Sequence, residues 1–225
     1  MFRSEPDHLI VACNDLESGV RWVTERLGVE PQPGGRHAVM GTHNALLRLG
    51  RRCYLEVIAI DREAPAPMRP RWFGLDDGVT QATLAQSPAL ITWAVRCDSL
   101  AAACARVPEL GEILSMSRGP LRWKISVPDD GSLPWGGVLP TALQWESGEV
   151  ADDDEADAPG HPCEMLEDRG CELVRLDLSH PAAVLGTQGI VSRFRELRIL
   201  GPVELKPGPR ELAATIRTPR GEVVL

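Results

Sequence analysis

Residues 8 to 13, His8-Leu-Ile-Val-Ala-Cys13, are mostly aliphatic with a weak alternation, which reads as a buried strand. Asn14 or Asp15 then offers a side-chain oxygen to the free amides of a first helical turn. Leu16, Val20, Val23 and Leu27 follow at helical spacing, and Gly28 tolerates the left-handed conformation that ends a helix. The pattern predicts a strand and then an amphipathic helix of about three turns. After a turn-rich stretch from Pro31 to Gly35, Ala38 to Met40 reads as a short strand. Thr42–Leu49 and Cys53–Ile60 read as two longer strands, joined by a hairpin at Gly50-Arg51-Arg52.

The opening pattern returns 84 residues on, where Thr92-Trp-Ala-Val-Arg-Cys97-Asp-Ser-Leu100 echoes His8 to Leu16 without a gap. Cys104 and Val107 then repeat Val20 and Val23, and at an offset of 88 Leu143-Gln144-Trp145 answers Leu55-Glu56-Val57. The second copy is expected as a strand over 90–97, a helix over 99–107 stopped by Pro108, and strands near 111–117, 121–127 and 137–146. Two βαβββ units follow, over 1–62 and 89–147. Between them, over 63–88, Pro65, Pro67 and Pro70 exclude a helix interior or central strand. Trp72 and Phe73 would pin that linker to the core, and Asp76 can cap a short helix running to about Gln86. The segment 148–170 contains Asp152-Asp-Asp-Glu155 and reads as a solvated acidic loop. From 171 to 225, extended stretches at 173–178, 197–200, 203–206, 212–217 and 222–225, with a short helix opened by His180-Pro181, look like a partial third unit packed beside the first two. The expected class is α+β, with paired βαβββ repeats and a partial third.

Charge removes one class of partner. The 32 acidic against 24 basic side chains give a net charge of -8, which disfavours a nucleic-acid surface. No run of some 18 apolar residues is present, and the first residues lack the apolar stretch of a secretory signal, so no membrane partner and a cytoplasmic location are expected. The six cysteines, at 13, 53, 97, 104, 163 and 171, form no C-x-x-C pair and suit a reducing compartment. No G-x-S-x-G elbow, P-loop or dinucleotide glycine pattern occurs.

Side chains alternate along a strand. If Leu9, Val11 and Cys13 pack on the helix, His8, Ile10 and Ala12 face the opposite side, towards a cleft shared by the two units. The same parity gives the cleft Thr92, Ala94 and Arg96, then Tyr54, Glu56 and Ile58, and in the last strand Ala142, Gln144 and Glu146. A carboxylate between Leu55 and Val57 needs a cation or donors if buried. His37 and His43 can line the pocket as proton carriers, since imidazole titrates near neutral pH. Of His43 and Asn44, neighbours in one strand, only one can face Glu56. Arg96 either anchors a substrate carboxylate or pairs with Glu146. Trp123 and Trp135 are either pocket wall or core, and His161 and His180 are assigned no role.

With Gly34-Gly-Arg-His37, Gly41-Thr-His43-Asn44-Ala-Leu-Leu47 and Tyr54-Leu-Glu56-Val-Ile-Ala-Ile-Asp61, the repeat resembles the glyoxalase-like domain proteins of the vicinal oxygen chelate superfamily. That resemblance implies that the repeats form curled half-barrel sheets, with a divalent metal (zinc, iron, manganese or nickel) held at the mouth by one residue from each of four strands. The ligand positions would fall on His8 and Glu56, with Thr92 where a histidine is common and Gln144 where a carboxylate is common. His8, Glu56 and Gln144 are thus the metal-ligand expectation, Glu56 and His43 the catalytic one, and Asn44, His37, Thr92, Arg96 and Trp123 the substrate pocket. The function implied is metal-assisted lyase, isomerase or dioxygenase chemistry on a small oxygenated metabolite. The alternative is a metal-free protein that sequesters a small ligand, similar to bleomycin-resistance proteins; a homodimer is compatible with both.

Overall fold

The structure, a computed structural model, describes residues 3–146, 160–184 and 189–225. The acidic run at 152–155 lies outside them. The first unit is β1 (Ser4–Ala12), α1 (Leu16–Leu27), β2 (Gln32–His37), β3 (Thr42–Arg48) and β4 (Tyr54–Ile60). Asp15 caps α1 by accepting from the Ser18 amide at 2.9 Å, and Gly28 closes it at φ 69°. In the connection, Trp72 and Phe73 are buried. The short α2 (Gly78–Leu84) is capped by Asp77 rather than Asp76, whose carboxylate instead holds Arg71. The second unit is β5 (Ala89–Cys97), α3 (Leu100–Arg106), β6 (Glu112–Arg118), β7 (Leu121–Val127) and β8 (Thr141–Trp145).

The two units share one eight-stranded curled sheet in the order β2-β3-β4-β1-β5-β8-β7-β6. Its centre explains the echo in the sequence. Leu9 pairs with Trp93 across the antiparallel β1–β5 seam, His8 with Ala94 and Ile10 with Thr92. Residues 84 apart therefore exchange places about a pseudo two-fold axis at that pair. β1 runs parallel to β4 with Ile10 opposite Glu56, and β5 runs parallel to β8 with Ala94 opposite Thr141. The counterpart of Glu56 in the second unit is consequently Thr141, three residues before the expected Gln144. The edge strands β2 and β6 approach each other as the sheet curls.

Two cores lie on the two faces of this sheet. On the helical face Leu9, Val11, Leu55, Val57, Trp93 and Val95 pack with Val23 and Leu27 of α1 and Leu100 of α3. On the concave face Ile10, Ala12, Ile58, Ala94, Ile125 and Leu143 pack with Trp72, Phe73 and Trp123. The C-terminal residues form β9 (Glu172–His180), α4 (Ile190–Leu197), β10 (Val203–Pro207), β11 (Glu211–Thr218) and β12 (Gly221–Val224). This strand–helix–three-strand order builds a separate sheet, β10-β9-β11-β12, whose Leu176, Leu178, Ala214 and Ile216 extend the helical-face core. Its first strand lies inside the sheet between β10 and β11, so its pairing differs from that of the first two units. The helix starts at Ile190, not at His180-Pro181. Residues 197–200 are the end of that helix, Arg198 at φ 50° and a single parallel bridge from Ile199 to Ser4, instead of the full strand expected.

Among the described residues no helix is long and apolar enough to cross a membrane. All six cysteines are free, and burial pushes the Cys13, Cys97 and Cys163 thiols up to about 12, so these three are not poised thiolates.

Candidate functional site

The concave face carries a small polar centre in an aromatic shell. His8 and Glu56 are both buried, and His8 Nε2 lies 3.7 Å from Glu56 Oε2. Each is held from behind. Glu56 Oε1 accepts from Asn44 Nδ2 at 2.5 Å, and Asn44 Oδ1 accepts from the Gly35 amide and from Arg118 Nη1, both at 2.9 Å. Register decides which of the two neighbours in β3 takes this place. Leu46 pairs with Glu56 and Asn44 with Ile58, so Asn44 shares the face of Glu56. His43 points the other way, into a surface hollow with Arg36, Asp61 and Glu63. It does not line the cavity of Glu56, so it is not the proton carrier expected there.

His8 is held by Asp7, a neighbour that strict alternation would put on the opposite face. A bulge in β1 between Pro6 and His8 removes Asp7 from the ladder and lets both side chains turn to one side. Asp7 is fully buried; its Oδ1 takes His8 Nδ1 at 2.7 Å, and its Oδ2 takes Trp145 Nε1 at 2.9 Å and His161 Nε2 at 3.2 Å. Burial acts to raise the Asp7 pKa, but the hydrogen bonds and charges of His161 and His8 outweigh it and hold the carboxyl well below the usual range. An ionised Asp7 fixes two tautomers. His8 carries its proton on Nδ1, which leaves the Nε2 lone pair facing Glu56. His161 accepts from the Cys163 amide at Nδ1, 3.1 Å, and so donates from Nε2.

Tyr54 stacks on His8 with centroids 4.5 Å apart, and Trp72, Trp123, Trp145, Ile125 and Leu143 complete the wall. His37 lies edge-on to Trp72 at 5.0 Å, and burial lowers its pKa to about 4, so it is neutral at pH 7. The space enclosed in this conformation is about 20 Å³, room for one water molecule or ion, so any larger molecule reaches His8 and Glu56 only when part of the aromatic wall moves aside.

The structure thus brings together His8, His37, Asn44, Glu56 and Trp123. Three other expected site residues are elsewhere. Gln144 lies on the helical face, where its Oε1 accepts from the Leu100 amide at 2.9 Å at the start of α3. β8 begins only at Thr141, after a turn with Trp135 and Gly136 at positive φ, so the cleft-facing residues of that strand are Leu143 and Trp145. Thr92 is buried and spends its hydroxyl on Gly137 O at 3.0 Å. Arg96 binds Pro6 O at 2.7 Å, Arg52 O at 2.6 Å and the Glu5 carboxylate, in a separate groove; Glu146 pairs with Lys124 instead. Trp135 packs against His180, 5.5 Å away, and not in the cleft. The sequence reading missed Asp7, Arg118, Trp145 and His161 as members of the site. Pro6 ahead of Asp7-His8 was the one local signal, since proline cannot donate to a ladder.

A family model described as a glyoxalase-like domain matches residues 7–190. The chain belongs to the glyoxalase-like domain family. It is thereby a member of the vicinal oxygen chelate superfamily. None of the curated proteins compared with this glyoxalase-like chain matches it. Among solved structures, a hypothetical protein from Staphylococcus aureus aligns with 98% of this chain and 84% of its own, at TM-score 0.53 and 12% identity. Methylmalonyl-CoA epimerase from Mycobacterium tuberculosis aligns with 65% of this chain and 91% of its own, at TM-score 0.42 and 22% identity. The Streptomyces coelicolor enzyme of the same name gives 66%, 97%, 0.41 and 20%.

Members of the superfamily often use a divalent metal. The donors of this glyoxalase-like site do not fit one as a resident ion. His8 Nε2 and Glu56 Oε2 are the two suitable atoms, and no group of three or more His, Cys, Asp or Glu that could hold a metal occurs among the described residues. The second unit offers Thr92 and Thr141, both with hydroxyls turned to backbone carbonyls. Arg118, a permanent cation, lines the same cavity.

Proposed function

We propose that this chain is a small-molecule enzyme that moves a proton to or from a carbon beside a carbonyl group of a small oxygenated metabolite, an isomerase- or lyase-type step. The observation that carries the reading is the facing pair of His8 Nε2 and Glu56 Oε2, 3.7 Å apart inside an aromatic shell. Each has one atom anchored and one atom free. Glu56 is held at Oε1 by Asn44, and Oε2 takes the proton from carbon. His8 is held at Nδ1 by Asp7, and Nε2 takes or returns a proton on the substrate. The Asp7 carboxylate behind the imidazole fixes the ring and keeps Nε2 turned to Glu56. Water exclusion by Tyr54, Trp123 and Trp145 strengthens these charges. A protein that only sequesters an apolar compound has no use for a buried acid–base pair, which favours the enzymatic reading.

The test is solvent-deuterium exchange, followed by proton NMR, across a panel of small 2-hydroxy and 2-oxo carbonyl compounds. Exchange at the carbon next to the carbonyl is expected with the wild-type protein in the presence of chelator. Glu56→Gln and His8→Gln should each slow it by roughly a hundredfold or more. Exchange that is equally fast in the folded Glu56→Gln protein would remove the basis of the proposal.

A further inference from the structure

We infer that Arg118 is the oxyanion-binding residue of this site, supplying the positive charge in place of a metal ion; the substrate is then a carbonyl compound whose oxygen turns anionic when the adjacent carbon loses its proton. The inference rests on the proton-transfer reading above and names the substrate class for it.

Arg118 is the last residue of the edge strand β6, yet its side chain crosses to the opposite edge of the curled sheet. There Nη1 donates to Asn44 Oδ1 at 2.9 Å and lies 3.4 Å from His37 Nε2. His37 is neutral at pH 7, so its Nε2 lone pair accepts this contact. Glycines clear the path. A Cβ on Gly35 would stand 2.7 Å from Arg118 Cδ, and one on Gly34 would stand 2.0 Å from Asn44 Oδ1. Only Nη1 is used: among the described residues Nε and Nη2 have no hydrogen-bond partner, which leaves one two-donor edge of the guanidinium open. The group is half-buried and lines the same cavity as His8 and Glu56.

The charges balance without a metal. Glu56 takes the proton, the C–H electron pair becomes the π bond between that carbon and the carbonyl carbon, and the carbonyl π pair moves onto oxygen. One negative charge passes from the carboxylate to the substrate oxygen, and the guanidinium stays positive throughout. A donor aimed at where charge develops stabilises the transition state more than the ground state. The same guanidinium fixes the Asn44 amide, so that its Nδ2 must face Glu56. One cation thereby orients the base and receives the oxyanion.

The experiment uses glycolate, a small anion with two adjacent oxygens, titrated into the full chain at pH 7 by calorimetry and tryptophan fluorescence. Glu56→Gln mimics the protonated base, so glycolate should bind this variant more tightly than wild type. Adding Arg118→Gln should weaken that binding roughly tenfold or more, the size expected for losing a charge-assisted two-donor contact. Arg118→Lys keeps the charge without the fork and should recover only part, which separates a binding role from a folding defect; circular dichroism checks the fold of each variant. Equal glycolate affinity with and without Arg118, or no glycolate binding by the folded Glu56→Gln protein, overturns the assignment. Carbon exchange that needs Glu56 but ignores Arg118 sinks this inference alone, whereas Arg118-dependent glycolate binding without exchange on any compound sinks the proton-transfer reading and leaves Arg118 as an anion-binding residue only.

Discussion

Replacing Asp7 by asparagine changes one atom and inverts the logic of the site. Asp7 accepts from His8, Trp145 and His161. The Trp145 indole can only donate, so an amide at position 7 must keep its oxygen towards Trp145 and His161 and turn its NH2 towards His8. His8 Nδ1 then has to accept, which moves the imidazole proton to Nε2 and points it at Glu56, 3.7 Å away. The free lone pair is lost although no heavy atom need move far. Three charge-assisted bonds become neutral ones, at about 1 kcal/mol each, and the lighter desolvation of an amide offsets part of this, for a net loss of about 2 kcal/mol. For a chain of this size that is a melting temperature about 4–8 °C lower. The sign with pH follows from the depressed Asp7 pKa: the carboxylate contributes fully above its ordinary value of 3.8, and the contribution fades as pH falls from there towards the lowered value. The gap between wild type and Asp7→Asn should therefore be full at pH 7 and shrink below about pH 4. Calorimetric melts at both pH values measure it, and long-range proton–nitrogen NMR reports the His8 tautomer. A variant that melts with wild type at pH 7 and keeps its proton on Nδ1 would refute the reasoning.

Two further outcomes are expected. Burial lowers the His37 pKa from 6.5 to about 4, so the neutral ring contributes stability above pH 6.5 that is lost as pH falls towards 4, on the order of 3 kcal/mol across that window; urea unfolding of wild type and His37→Gln across those pH values should show the difference closing. Gln144→Ala removes the bond to the Leu100 amide and should cost about 1 kcal/mol in urea unfolding while leaving carbon exchange unchanged; loss of exchange in the folded variant would return Gln144 to the site.

The parts of the fold legible in the sequence are those where alternation and helical spacing run unbroken. β1, β4 and β5 are buried on both faces, and parity along them assigns His8, Glu56 and Ala94 to the concave side, where the structure has them. The same rule fails at β8 because an irregular turn precedes it, and the 88-residue offset aligned Glu56 with Gln144 when backbone register aligns it with Thr141. One residue of parity moves a side chain through the sheet. Asp7 was hidden for a related reason, a bulge that breaks alternation. Arg118 and His161 reach the centre from an edge strand and from a segment 153 residues beyond His8, and no local pattern encodes such approaches. Helix α4 was masked by its polar spacing: Ile190, Phe194 and Leu197 mark one face, but three arginines or glutamates among eight residues blur it.

Elemental analysis of protein purified without chelator bears most directly on the central claim, that this pocket runs on a carboxylate, an imidazole and a guanidinium. The account predicts less than about a tenth of an equivalent of any transition metal, with carbon exchange undiminished after dialysis against chelator. Close to one equivalent, lost together with exchange in both His8→Ala and Glu56→Ala, would contradict it.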